Sequence, residues 1–284
     1  MAETVRTLLG EKTLAVSLAC LPTLIRYSVD PVRLVIHEDG TLTPVGREAL
    51  QAAVPGAVFI TREEADARVL PLLDAYPRCR QARASSPLFL KVIDIGLLEP
   101  DELAYCDSDV LFLRPYEGLF GGLADPRFRV CFMTDVKHAY AVRPWYLKPL
   151  GRLRLAGYVN TGLVRASRGV VDLDLIEWVL GQLADRPVWS RRWYWGEQTC
   201  WAALAARGEC GLWDRRRLVL ASPDMEAYSP DTVAIHFVST YRRHLAAFVD
   251  RGVAEAAGVT VGLDRAAYVG PIGQFCSDLR AKLR

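Results

Sequence analysis

The chain lacks any apolar run near the roughly 20 residues that span a bilayer, and among its 284 residues there is no CxxC pair and no low-complexity linker. Its amino end, MAETVRTLLGEKTLA, opens with an acid and has neither the basic start nor the long apolar stretch of a secretory leader. Seven scattered cysteines without metal-type spacing read as reduced thiols of a cytoplasmic protein, several of them buried as small hydrophobes. An excess of either charge is also missing. A formal net charge of +2 gives no compositional footing for nucleic acid or an anionic membrane surface. No internal repeat is found, so a single domain over residues 1–284 is expected. What the chain does have is apolar content, 51%, enough for a sizeable core.

The pattern alternates. It predicts a strand over 4–10, a helix over 11–28 bent or broken at Pro22, and a strand over 32–40 stopped by an Asp-Gly turn. Such a strand-helix-strand unit is right-handed and parallel. AVFI at 57–60 is a further strand, with a helix from Thr61. Ser86 and Pro87 are placed as N-cap and first residue of a helix leading into the apolar run at 103–106. RVCFMTD, YVNTGLVRAS and VAIHFV read as strands; VDLDLIEWVLGQLAD and EQTCWAALAARG read as helices, the second closed by Gly208. The expectation is an α/β sandwich on a mainly parallel, mixed sheet, with ligands beyond the carboxyl ends of its strands.

One stretch resists this reading. In ELAYCDSDVLFLRP, Asp107 and Asp109 sit between two apolar runs. Burying an unpaired carboxylate costs several kcal/mol. A polar turn avoids that. A helix N-cap would too, but VLFLRP starts a helix poorly and Pro115 soon stops it. A divalent cation is the third solution: alternate residues of an extended segment point one way, and hard oxygen ligands suit Mg²⁺ or Mn²⁺. Spacing alone leaves the turn and the metal open. Other residues carry similar double readings. Asn160 and Gly162 are a turn or bulge, or a place where a ligand meets the backbone. His236 in its apolar strand is a satisfied core histidine or a ligand. Glu197 is explained by a helix dipole alone.

Taken in order, YCDSDVLFLRP, YVNTGLV, GEQTCW and AIHFVST resemble the motifs of GT-A fold (Rossmann-like) nucleotide-sugar glycosyltransferases, in the version of family 8, the group of glycogenin and bacterial lipopolysaccharide galactosyltransferases. The resemblance implies an α/β/α sandwich with a nucleotide-binding half over about 1–115 and a donor-sugar and acceptor half over about 116–284. It implies Asp107, Asp109 and His236 as ligands of Mn²⁺ or Mg²⁺, with Asp107 also near the donor ribose. Lys91 and Arg242 or Arg243 would lie by the diphosphate, Asn160 and Gly162 by the donor sugar. Glu197 would bind donor hydroxyls and Gln198 would lie near the anomeric carbon, the two forming the catalytic pair. Departures are visible: Glu-Gln replaces the usual Asp-Gln, and VSTYRRH replaces a Gly followed by Lys-Pro-Trp. The implied activity is metal-dependent transfer of a hexose from a nucleotide sugar, UDP by resemblance, to a saccharide, small-molecule or protein acceptor. The alternatives are a haloacid-dehalogenase-type phosphohydrolase, which also uses Asp-x-Asp after an apolar strand, and a non-catalytic nucleotide-sugar binder.

Three stretches stay outside this scheme. In VWSRRWYWGEQTCW, Trp189, Trp193, Trp195 and Trp201 interleave with Arg191 and Arg192, a pattern that serves an acceptor-cradling surface, core packing (Trp201 by helical spacing) or, less readily, nucleic acid. HEDG at 37–40 is a strand-ending turn or a base contact, and RRR at 215–217 reads as a solvated loop.

Overall fold

β1 (Glu3–Leu9), β2 (Val32–Glu38) and β3 (Val58–Ile60) pair in parallel, as leucine-rich and β-branched runs do when helices connect them. The connecting helices α1 (Leu14–Arg26) and α2 (Pro44–Ala53) lay Leu21, Leu24 and Leu50 on one face of that sheet. The structure is a computed structural model that describes residues 2–98, 102–121, 126–142, 153–185, 193–222, 229–253 and 257–270, with Cys276 and Leu279. α1 runs through Pro22 instead of breaking there. An interior proline costs roughly 3 kcal/mol, but Cys20, Leu21 and Leu24 beside it are buried, and Thr23 Oγ1 accepts from the Phe112 amide at 3.0 Å. Burial outweighs the local preference.

α3 (Arg62–Val69) starts on a reciprocal capping box between Thr61 and Glu64. α4 (Pro77–Ser85) follows. Then α5 (Leu88–Leu90), a π-helical turn (Lys91–Ile95) and α6 (Gly96–Leu98) run on without a break. The helix start lies one residue beyond expectation: Pro87 is the N-cap, and Ser86 closes α4. The later elements are β4 (Leu103–Cys106), β5 (Val110–Phe112), β6 (Tyr116–Glu117), β7 (Val130–Thr134), β8 (Val159–Ala166), α7 (Leu173–Asp185), α8 (Gly196–Ala205), β9 (Cys210–Trp213), β10 (Leu218–Leu220), β11 (Ala234–His236), β12 (Val259–Thr260) and β13 (Leu263–Arg265).

The central sheet has eight strands in the order β13-β9-β7-β8-β4-β1-β2-β3. Only β8 and β13 run against the rest. α1 and α2 cover one face; α3, α4, the 88–98 run, α7 and α8 pack on the other through Val69, Cys79, Ile93, Leu180 and Trp201. Both halves of the sequence therefore share one sheet in an α/β/α sandwich. All seven cysteines are free, six of them buried. Among the described residues, no helix is long and apolar enough to cross a membrane.

Two pairings place the site. β8 lies antiparallel beside β4, so the residues before Leu163 extend past Cys106 at the carboxyl end of β4. In a smaller sheet of order β10-β11-β5, β11 is antiparallel to β5, which sets His236 opposite Val110.

Candidate functional site

Asp107 and Asp109 do not project from an extended segment. The Val110 amide donates to the Asp107 carbonyl at 3.2 Å and closes a tight turn between β4 and β5, so a polar turn and a pair of converging carboxylates coexist. The Asp107 amide in turn donates to the Gly162 carbonyl at 2.7 Å. β8 buckles here: Phe132 of β7 opposes Val164, but the next residue, Met133, opposes Asn160. Such an irregularity re-aims side chains at sheet edges and sites, and this one presents Asn160, Thr161 and Gly162 to the end of β4. The space over Gly162 is taken by the histidine instead of by a ligand. A Cβ there would lie 2.2 Å from His236 Nδ1.

His236 Nε2 stands 3.1 Å from Asp109 Oδ1 and 3.5 Å from Asp107 Oδ2. One ligand atom from each residue falls within 4.8 Å of the others. The ring orientation is fixed from behind. Asn160 Oδ1 accepts from the Gly162 amide at 3.0 Å, so it must also accept from His236 Nδ1 at 3.0 Å. Nδ1 is then the nitrogen that donates to Asn160, and Nε2 faces the two carboxylates. Two carboxylates and an imidazole nitrogen are the donor set of a divalent cation, held by the outer hydrogen bond that metal-binding histidines use.

Two basic side chains flank this set. Lys91, on the π-helical turn, donates to Asp107 Oδ2 at 3.0 Å and to Thr161 Oγ1 at 3.2 Å. Burial opposes its charge, yet Asp107, Glu197 and Asp109 outweigh burial and keep the ammonium above its ordinary value. Arg242 donates to Asp109 Oδ2 through Nε at 2.9 Å and Nη2 at 2.7 Å. Burial would raise the Asp109 carboxyl, but His236 and Arg242 overcome it and hold the group down at about 2. Arg243 instead meets His244 at 3.2 Å, which settles which of the two arginines reaches the acids.

The remaining expected residues join the same network. Thr161 Oγ1 donates to Glu197 Oε2 at 3.1 Å. Glu197, in the first turn of α8, is pushed up to about 7 by burial; Lys91 opposes the rise and Asp107 adds to it. Its other oxygen, Oε1, is buried without a partner among the described residues. Gln198 Nε2 donates to the Ala139 carbonyl at 3.1 Å and to Asp135 Oδ2 at 3.5 Å, and Asn160 Nδ2 reaches that Asp135 oxygen at 3.3 Å. Sequence reasoning missed three members: Asp135, Thr161, and Tyr105, whose hydroxyl donates to Asp107 Oδ1 at 2.5 Å. Asp135 ends an apolar strand as Asp107 does, and that was its available signal.

The stretches left aside fall variously. Trp201 is core, edge-on to Phe132. Trp193 is 37% exposed over Phe89, and Lys137 lies against the Trp195 ring. Trp189, Arg191 and Arg192 lie outside the described residues. His37 is buried, with Nε2 3.2 Å from Arg6. Arg215 and Arg216 are exposed.

No protein-family model matches the sequence, and no curated protein matches it. Solved structures do match in fold. They include mouse xyloside xylosyltransferase 1 in its apo form, at TM-score 0.57 and 14% identity over 83% of this chain and 97% of that one. The apo bifunctional glycosyltransferase WbbM matches at TM-score 0.53 and 12% identity over 88% and 50%. The galactosyltransferase LgtC, in complex with donor and acceptor sugar analogs, matches at TM-score 0.50 and 10% identity over 87% and 95%. At such identities the likeness is one of architecture, and on that footing the chain has the GT-A fold of the glycosyltransferases.

Proposed function

We propose that the protein is a metal-dependent glycosyltransferase that moves a sugar from a nucleotide sugar, with UDP as the nucleotide, to an acceptor. The observation that carries the reading is the imidazole of His236 set between the carboxylates of Asp107 and Asp109 at 3.5 and 3.1 Å. In this reading Asp107, Asp109 and His236 hold Mn²⁺ or Mg²⁺, with the nitrogen ligand favouring manganese. When bound, such an ion offers Lewis-acid stabilisation of the charge that develops on a departing diphosphate. Lys91 and Arg242 bring positive charge to the same phosphates. The nucleotide belongs to the half formed by residues 1–115, and the sugar and acceptor to residues 116–284.

The sugar end is formed by Asn160, Asp135 and Glu197, whose amide and carboxyl groups suit ring hydroxyls, with Gly162 keeping the imidazole in place. Near neutral pH, Glu197 exists in both protonation states and so can donate or accept a hydrogen bond. Gln198, fixed by the Ala139 carbonyl and Asp135, is assigned to the anomeric carbon. Seven free thiols favour a reducing compartment such as the cytoplasm.

The test is thermal unfolding with UDP-glucose, UDP-galactose and GDP-mannose, each with and without Mn²⁺. A ligand of the folded state raises its melting temperature, so a UDP-sugar together with Mn²⁺ should shift it by several degrees and neither alone should. A shift independent of the metal, or none with any donor, contradicts the reading. Slow donor hydrolysis would separate an enzyme from a non-catalytic binder. An aspartyl-phosphate analogue trapped on Asp107 would favour the phosphohydrolase instead.

A further inference from the structure

The aromatic turn that leads into α8 has no part in the roles above. Trp193–Trp195 form a single 3₁₀ turn, and Trp195 is the N-cap of α8 with no side-chain cap bond. A helix start without serine, threonine, asparagine or aspartate at that place forgoes about 1 kcal/mol. Burial does not explain the aromatics either. Trp193 is 37% and Tyr194 55% exposed, and among the described residues Tyr268 is the only other exposed aromatic. Apolar groups scattered singly over a surface are ordinary, whereas neighbouring ones gathered in a patch mark a contact site.

The turn is fixed against the site. Trp193 packs on Phe89 with ring centroids 5.2 Å apart, and its Nε1 donates to Ser85 Oγ at 3.3 Å. Phe89 stands two residues before Lys91, which binds Asp107, and a Cβ on Gly196 would lie 2.8 Å from Phe89 Cζ. The Trp195 carbonyl accepts from Thr199 Oγ1 at 2.8 Å, and that hydroxyl accepts from the Ala141 amide at 2.8 Å. Lys137 completes the link. Its Nζ lies 5.2 Å from the centre of the Trp195 ring, and its backbone amide donates to Asp135 Oδ1 at 3.1 Å. The other Asp135 oxygen meets Asn160 and Gln198, and Asn160 in turn holds His236. The rings therefore border the wall made by Asp135 and Gln198.

We propose that Trp193, Tyr194 and Trp195, with Lys137, form the acceptor subsite, and that the acceptor is a saccharide whose pyranose ring lies against these aromatic faces. A pyranose carries C–H bonds on its faces and hydroxyls around its rim. Aromatic side chains with polar tips suit both. The Tyr194 hydroxyl and the Lys137 ammonium, neither of them hydrogen-bonded among the described residues, are placed to meet the rim. Nucleic acid also stacks on such rings, but a net charge of +2 gives its backbone little attraction. The inference rests on the glycosyltransferase reading and adds to it the chemical class of the acceptor.

The test is saturation-transfer NMR on the protein saturated with UDP and Mg²⁺, which avoids the paramagnetism of manganese. The probes are the methyl glycosides of glucose, galactose, N-acetylglucosamine and xylose, with acyclic sorbitol and a short oligothymidylate for comparison. At least one glycoside should bind about tenfold or more tightly than sorbitol, with saturation strongest on the C–H protons of one ring face. Its affinity should fall about tenfold in Trp193→Ala and in Trp195→Ala. Trp193→Phe, which keeps an aromatic face, should recover most of that loss. Tyr194→Ala and Lys137→Met, changes at the surface, should lower the affinity as well, while UDP–Mg²⁺ affinity stays unchanged. The proposal is overturned if no glycoside binds better than sorbitol, if alanine at 193, 194 and 195 leaves the affinity unchanged, or if oligothymidylate displaces the sugar. Any of these with UDP still bound sinks the acceptor assignment alone. Should the wild-type protein fail to bind UDP with Mg²⁺ or Mn²⁺, the donor reading falls, and the acceptor assignment falls with it.

Discussion

A methyl group on Gly162 would sit 2.2 Å from His236 Nδ1, well inside contact distance, so Gly162→Ala must push the imidazole away from the carboxylates. The substitution should weaken Mn²⁺ binding in the presence of UDP about tenfold or more and destabilise the fold by about 1–3 kcal/mol. Unchanged Mn²⁺ affinity by calorimetry would show that the ring does not serve the ion. Glu197 allows a prediction on pH. Its carboxyl rises from 4.5 unfolded to about 7 folded, so folding favours the protonated form. That contribution is fully present below pH 4.5 and is lost as pH rises through about 7. Each pKa unit is worth about 1.4 kcal/mol. Glu197→Gln, neutral at every pH, should therefore gain on the wild type between pH 5 and pH 8, by an amount on the order of 3 kcal/mol. A urea-denaturation difference that is the same at both pH values would refute this. Of the nine residues singled out from sequence, seven stand in motifs whose spacing marks them, while Lys91 and Arg242 stand outside those motifs. Asp135 has the same place at a strand end as Asp107, but no second acid two residues on, and so it offered no pattern. Tyr105 and Thr161 stood inside quoted motifs, yet a hydroxyl shows its partner only once the chain is folded.

Among the elements, the π-helical turn carries the most chemistry. It aims Lys91 at Asp107 and at the same time turns Asp94 toward α4, where Arg83 binds it with Nε–Oδ1 at 2.7 Å and Nη2–Oδ2 at 2.6 Å. Both side chains are buried, and Asp66 supplies Arg83 with a second carboxylate. Breaking a buried pair from one side costs about 3–5 kcal/mol. Asp94→Ala should lie near the lower end because Asp66 remains, and it should also weaken UDP binding as Lys91 loses its footing. A loss below about 1 kcal/mol in urea denaturation, on that same scale, would mean that the pair carries little. The elements legible beforehand were those with strong apolar period. PRCRQARAS of α4 is too polar to show one, and β12 and β13 are too short. The buckle in β8 is set by its two neighbours, which local sequence does not contain.

For the molecule as a whole, the two acids and the two basic groups of the site already balance each other, and the hydrophobic clusters depend on none of them. Chelation by EDTA should leave the melting temperature of the ligand-free protein unchanged to within about a degree and should remove the UDP-dependent shift. A fall in the ligand-free protein would show that the ion is structural. The α/β sandwich on a mainly parallel sheet was readable from alternation alone. The order of strands was not, because the antiparallel strand beside β4 and the contact of Arg242 with Asp109, 133 positions apart, are decided by long-range packing.

The lattice running from Lys91 through Thr161 to Glu197, and from His236 through Asn160 and Asp135 to Gln198, has a consequence for selectivity. Side chains that already restrain one another have little rotamer freedom left to surrender on capture. They equally have little room to re-form around a misfit. If the proposed nucleotide sugar binds here, an epimer that turns one hydroxyl the wrong way would strand a buried amide or carboxyl, so side chains this restrained would discriminate by refusal more than by adaptation.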